Sequence, residues 1–273
     1  MKKIAIVTSE GGMSCAYSAG VILALVEKFN LVNPHVVVGS SGSTGTLAYY
    51  VAGQYESIKN IWENFMTSKR FISFTRFNKI VDMDYLVDDI LKKCDVLDIE
   101  KIKSSKIKLF ISATNIETGK PDYFSNQAEA GVFEALRASG ATPVFYNRPV
   151  KIKDRTYIDG AIGAPLAINV EKAKQEGAEV IFVIDNSNHS FVSNVVLRVY
   201  SLFTGKALRE QIQRYRREKK YESDDKQVLV ISPSIQLPIH TLDNNRDHVI
   251  RTIQIGYDDV VRKSDQIKEL LFI

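Results

Sequence analysis

Short apolar runs alternate along this chain with longer stretches of helical spacing, and that alternation leaves few folds open. The runs are Lys3–Thr8, His35–Val38, Lys108–Thr114, Asp122–Ser125, Val150–Ile158, Glu179–Ile184 and Gln227–Ile231. Runs such as "EVIFVI" keep no polar position in alternation, as expected of a strand covered on both faces. The helical stretches are Ser14–Phe29, Thr44–Gly53, Tyr55–Phe65, Tyr85–Lys93, Ala128–Ser139, Leu166–Gln175, Val192–Tyr221 and Asp247–Lys268. Val150–Ile158 reads as a hairpin, and Val192–Tyr221 as one long helix or a pair. The pattern predicts an α/β fold with a mostly parallel central sheet and helices on both faces.

At 273 residues, 45% of them hydrophobic and 25% charged, the chain can bury such a sheet without staples. No repeat, low-complexity segment or linker divides it, so residues 1–273 read as one domain. Cys15 and Cys94 give no disulfide framework, and a reducing compartment is the default. The apolar run after "MKK" is too short for a signal peptide, and no stretch reads as long and apolar enough to span a bilayer. The expectation is a cytoplasmic protein. A net charge of +4 is compatible with an anionic surface as partner.

One junction carries chemistry. In "VVVGSSGSTGT" (Val36–Thr46) a strand runs into a Gly/Ser knot and then into a helix. The knot offers Ser40, Ser41, Ser43 and Thr44. A nucleophile on so sharp a turn needs small residues two before and two after it. For Ser41 those are Gly39 and Ser43, with Gly42 between. The helix start would also favour a developing negative charge. The same residues suit an ordinary strand–turn–helix, and no Lys follows at phosphate-loop spacing.

A serine needs a base. His35, His189, His240 and His248 lack any local signature. Asp159, in "YIDGAIGAP", ends an apolar strand, and Gly160 turns the backbone directly after it. A carboxylate there is placed for site chemistry in an open α/β sheet, or it belongs to a common Asp-Gly turn. Cys15 has no accompanying base, and no Cys/His/Asp cluster has metal-ligand spacing.

Taken together, "SEGGMSCAYSAGVILAL" (Ser9–Leu25), "GSSGS" (Gly39–Ser43) and "DGA" (Asp159–Ala161) resemble, in order and context, the patatin-like phospholipases of bacteria. "SATNIETGKPDYFS" (Ser112–Ser125), "ALRASGATPVF" (Ala135–Phe145) and "IQIGYDDV" (Ile253–Val260) are similar to further segments of that group. The resemblance implies a three-layer α/β fold and a serine acyl hydrolase with a Ser–Asp dyad, without cofactor or metal. Ser41 would be the nucleophile and Asp159 the base. The N–H groups of Gly11, Gly12 and Met13 would form the oxyanion hole, with that of Gly42 as an additional donor. The substrate would be a phospholipid, a lysophospholipid or another fatty-acyl ester.

The chain departs from the family pattern of an acidic residue, three glycines, an apolar residue, Arg or Lys, and Gly. Those places hold Ser9, Glu10, Gly11, Gly12, Met13, Ser14 and Cys15. Two alternatives stay open: a Ser–His–Asp esterase using Asp185 with His240 or His248, and a non-catalytic lipid- or protein-binding member. The basic segment "ALREQIQRYRREKKYESDDK" (Ala207–Lys226) could dock on an anionic membrane, or form a solvated face paired with Glu210, Glu218 and Glu222. No nucleic-acid signature accompanies it. By position, Tyr55–Lys93 is the candidate lid.

Overall fold

The computed structural model describes residues 2–77, 79–127, 131–146, 148–186, 191–218 and 220–272. Its centre is an eight-stranded mixed sheet. The strands are β1 (Ile4–Thr8), β2 (Val36–Gly39), β3 (Lys108–Asn115), β4 (Pro121–Ser125), β5 (Val150–Ile152), β6 (Arg155–Ile158), β7 (Val180–Ile184) and β8 (Val228–Ile231). Their order is β5-β6-β3-β2-β1-β7-β8, with β4 also paired to β3. The run from β3 to β8 is parallel; β4 and β6 lie antiparallel to β3, and β5 to β6.

The absence of polar alternation has a direct cause. Ile6, Val37, Leu109 and Phe182 face one core, while Ala5, Val7, Val36, Val38, Ile181 and Val183 face another. Both faces are covered, so the inner strands bury apolar side chains on either side of the sheet.

The first core is covered by helices α1 (Ala16–Phe29), α2 (Thr44–Val51), α3 (Tyr55–Asn60), α4 (Ile99–Ser104) and α5 (Val132–Ser139). After Asp159 come the one-turn α6 (Gly160–Gly163) and then α7 (Leu166–Gln175), which covers the second core. Next are α8 (Phe191–Ser201) and α9 (Lys206–Tyr215), whose Leu197, Leu208 and Ile212 pack on Ile162 of α6. Helices α10 (Arg246–Arg262) and α11 (Ser264–Phe272) return to the first core.

Several boundaries differ from the sequence reading. Asp247–Lys268 is two helices, because Lys263 leaves helical geometry and the Ser264 hydroxyl donates back to the Val261 carbonyl. Val192–Tyr221 is the pair α8–α9, ending at Tyr215. Tyr85–Cys94 and Ile61–Phe65 wind as π-helix. Of Ala128–Ser139, residues 128–130 lie outside the described residues, and the helix runs from Val132.

Contrary to expectation, one stretch, Gly12–Phe29, is long and apolar enough to cross a membrane. Of this stretch 67% is buried here, because α1 is clamped between the sheet and α10. The crossing is made by facing glycines. A Cβ on Gly20 would lie 1.9 Å from the Ile253 carbonyl oxygen, and one on Gly256 2.3 Å from that of Tyr17. Beside the crossing, the Tyr17 hydroxyl donates to Asp259 Oδ2 at 3.0 Å.

Candidate active site

Three chain segments converge beyond the carboxyl ends of the parallel strands: the turn after β1, the turn after β2, and the residue after β6. Open α/β sheets hold ligands at this edge. Ser41 follows β2 with φ of 56°, a left-handed conformation that a non-glycine residue adopts at a cost. Two contacts hold it there. Its N–H donates to Ser139 Oγ at 2.9 Å, and its carbonyl accepts from Thr44 Oγ1 at 2.7 Å.

The small residues around the turn have identifiable tasks. A Cβ on Gly39 would sit 2.6 Å from both Leu47 Cδ1 and Thr8 Oγ1. Ser43, where the nucleophile-elbow pattern has glycine, fits because its hydroxyl is used. It donates to the Ser40 carbonyl at 3.0 Å and lies 2.8 Å from Thr8 Oγ1. A Cβ on Gly42 would meet the Gly12 carbonyl oxygen at 2.9 Å, so the first glycine turn is seated against the second.

Asp159 is brought in by β6, which meets the end of β3 through Thr114 and Ile158. A Cβ on Gly160 would be 2.1 Å from the Ser112 carbonyl oxygen, so only glycine lets the chain turn there. Asp159 Oδ2 accepts from Ser41 Oγ at 2.9 Å and from Thr142 Oγ1 at 2.6 Å, and Oδ1 accepts from the Ala161 N–H at 3.0 Å. Burial pushes its carboxyl above the usual aspartate range, while Thr142, the Ala161 amide and Ser41 pull the other way.

Of the glycine turn, Gly12 has φ of 58°, and Met13 donates its N–H to the Thr241 carbonyl at 3.1 Å. The Met13 amide is therefore already engaged. Glu10 is buried beside the pair, and its carboxyl is pushed up to about 7, chiefly by burial, with Asp159 and Asp185 adding to the rise. Cys15 is fully buried, and its thiol is pushed up by that burial, which removes any thiolate character.

Ser41 and Asp159 open onto a cavity of about 150 Å³ with largely apolar walls. The candidate lid segment supplies one wall, including Trp62, Phe71 and Leu91; Leu136 and Leu197 belong to others. No Lys, Arg or His is among the described residues that line it. Nor, among the described residues, is any His/Cys/Asp/Glu group arranged to hold a metal ion.

The structure does not bring a described histidine to Ser41. His35 Nε2 is 2.9 Å from the Glu176 carbonyl oxygen, His240 is exposed, and His248 Nδ1 pairs with Asp243 at 2.6 Å. His189 lies outside the described residues. Asp185 is buried at the end of β7. Along Ala207–Lys226, no ion pair among the described residues joins the basic side chains to Glu210, Glu218 or Glu222.

Sequence reading missed Ser139 and Thr142, which hold the two candidate groups, and gave no role to Glu10 or Tyr215. Ser139 and Thr142 lie in "ALRASGATPVF", but nothing in that stretch points to partners 98 and 17 residues away.

The patatin-like phospholipase family model matches residues 7–170. The protein YjjU of Escherichia coli K12 is 26% identical over 188 residues, covering 67% of this chain and 51% of its own. The chain thus spans about half the length of that curated relative. VipD from Legionella pneumophila shares the fold: TM-score 0.59 at 16% identity, over 97% of this chain and 67% of VipD. A structure of SpcU in complex with ExoU from Pseudomonas aeruginosa aligns at TM-score 0.44 and 13% identity, over 100% of this chain and 53% of that one.

Proposed function

This chain belongs to the patatin-like phospholipase family, and from that premise we propose that it hydrolyses fatty-acyl esters of lipids at Ser41 with Asp159 as base. The observation that carries the reading is the 2.9 Å hydrogen bond from Ser41 Oγ to a buried Asp159 carboxylate, at the floor of an apolar cavity. Ser41 Oγ attacks the ester carbonyl carbon as its proton passes to Asp159 Oδ2. The C–O bond to the alcohol breaks, and that proton leaves with the alcohol. Water then attacks the acyl-serine as Asp159 takes a proton from it; the acyl C–Oγ bond breaks, the proton passes from Asp159 to Ser41 Oγ, and the fatty acid leaves.

Burial suits this role, since a solvated aspartate is too weak a base. The oxyanion falls to the N–H groups of Gly11, Gly12 and Gly42 rather than to Met13, whose amide serves Thr241. Gly42 sits in the first turn of a helix, where an N–H has no intrahelical acceptor. Phospholipids and lysophospholipids are the ester classes that family membership suggests.

The test is covalent. A fluorophosphonate should label the wild type on Ser41, read by peptide mass spectrometry, and a nitrophenyl ester should be hydrolysed. Ser41→Ala should lose both, whereas His240→Ala and His248→Ala should keep both. Hydrolysis that survives Ser41→Ala, or vanishes with one histidine, removes the dyad.

The cavity is also proposed to open against a lipid surface. Two segments that line it end in exposed apolar tips: Phe74 and Phe77 on one, Leu202 and Phe203 on the other. Exposed Lys206 and Arg214 on α9, and Arg217 just beyond it, suit an anionic layer. Phe77→Ser with Phe203→Ser should lower hydrolysis of esters in anionic vesicles roughly tenfold, from the lost apolar insertion. A water-soluble short-chain ester should be cleaved as before. Equal loss on both substrates would refute the docking role.

A further inference from the structure

Glu10 lines the same cavity as Ser41 and Asp159, two residues past the end of β1, and is 8% exposed. Its Oε1 accepts from the Tyr215 hydroxyl at 3.2 Å. Its Oε2 is buried without a hydrogen-bond partner among the described residues. An oxygen left so in an apolar site is costly, so the position is not explained by packing. The titratable groups facing Glu10 are Asp159, Asp185, Cys15 and Tyr215. With no Lys, Arg or His among the described lining residues, the charged side chains that face the reacting ester are acids.

Resting on the acyl-ester reading, we propose that Glu10 is a charge filter for the alcohol portion of the substrate. In its ionised form it turns away esters that carry a phosphate close to the scissile carbonyl, and admits those whose alcohol is uncharged, the acylglycerols. Two like charges some 6 Å apart at a partly buried site repel strongly enough for roughly tenfold discrimination or more. The protonated acid reverses the effect, because its Oε2–H can donate to a phosphate oxygen. The carboxyl titrates near 7, so the filter acts above that pH and relaxes below it.

The experiment compares kcat/KM for a monoacylglycerol and a lysophosphatidylglycerol with the same acyl chain. The phosphodiester keeps one charge throughout the range from about pH 5.5 to 8.5, where only protein groups titrate. In the wild type, preference for the uncharged ester should rise about tenfold across that range. In Glu10→Gln it should stay flat, near the wild-type value at low pH. In Tyr215→Phe, which removes a donor to the carboxylate, the rise should move to higher pH. That variant tests the proposal even if Glu10→Gln does not fold. A Glu10→Gln preference that still climbs with pH, or a Tyr215→Phe curve that does not move, overturns the filter. Ser41→Ala is the separate control: activity surviving there sinks the acyl-serine reading and the filter with it.

Discussion

Asp159→Asn is expected to lower kcat/KM on a fatty-acyl ester by roughly four orders of magnitude while the protein stays folded. Asparagine has the same shape, and its carbonyl oxygen can keep the bond from the Ala161 N–H. Its amide nitrogen then faces Ser41 and Thr142, whose hydroxyls can rotate to accept. What disappears is the proton acceptor. Thr142→Val gives the companion measurement. The Thr142 hydroxyl stabilises the ionised carboxylate, so its removal raises the Asp159 pKa further. Activity needs that carboxylate ionised and is lost as pH falls through its raised pKa. The acidic limb of the kcat/KM profile should therefore lie above that of an ordinary aspartate, and Thr142→Val should carry it higher still. An Asp159→Asn enzyme within tenfold of wild type, with an unchanged melting curve, would show that another group takes the proton.

Gly20→Val should cost about 3 kcal/mol or more, because its Cβ would fall 1.9 Å from a backbone oxygen of α10. A backbone cannot swing aside as a side-chain tip can, so the two helices must separate along their crossing. For a chain of this size the expected drop in Tm is on the order of 10 °C. Gly205→Ala is the contrast. Nothing lies within 4 Å of its added Cβ and its φ is −59°, so its Tm should stay within a degree or two, since surface changes usually move stability by under about 0.5 kcal/mol. Similar losses from both glycines would mean that the crossing is not as close as described.

Much of the sheet was legible because its strands are buried on both faces and read as bare apolar runs. The turn at Ser41 was legible because a sharp strand–helix junction restricts its neighbours to small residues. The pairing of Ser41 with Asp159 was not legible from spacing. The two lie 118 residues apart, and they meet because β6 joins the sheet next to β3. Family resemblance supplied that pairing. The helix break at Lys263 escaped because apolar periodicity runs on through it. The engagement of Met13 by Thr241 and of Glu10 by Tyr215 escaped because each partner lies more than 200 residues downstream.

The neighbours of β1 carry a last consequence. One of them, β7, lies beyond residue 170, where the family match ends, as do α10 and Thr241. A fragment cut off after residue 170 would keep β1 and both Ser41 and Asp159. Yet β1 would become a raw margin of the sheet, with bare amides and carbonyls ready to recruit another chain. The same cut would strip α1 of its cover and untie Met13. Such a fragment should aggregate rather than catalyse: the reacting groups can be carried by the first 170 of 273 residues, but their alignment needs the remainder.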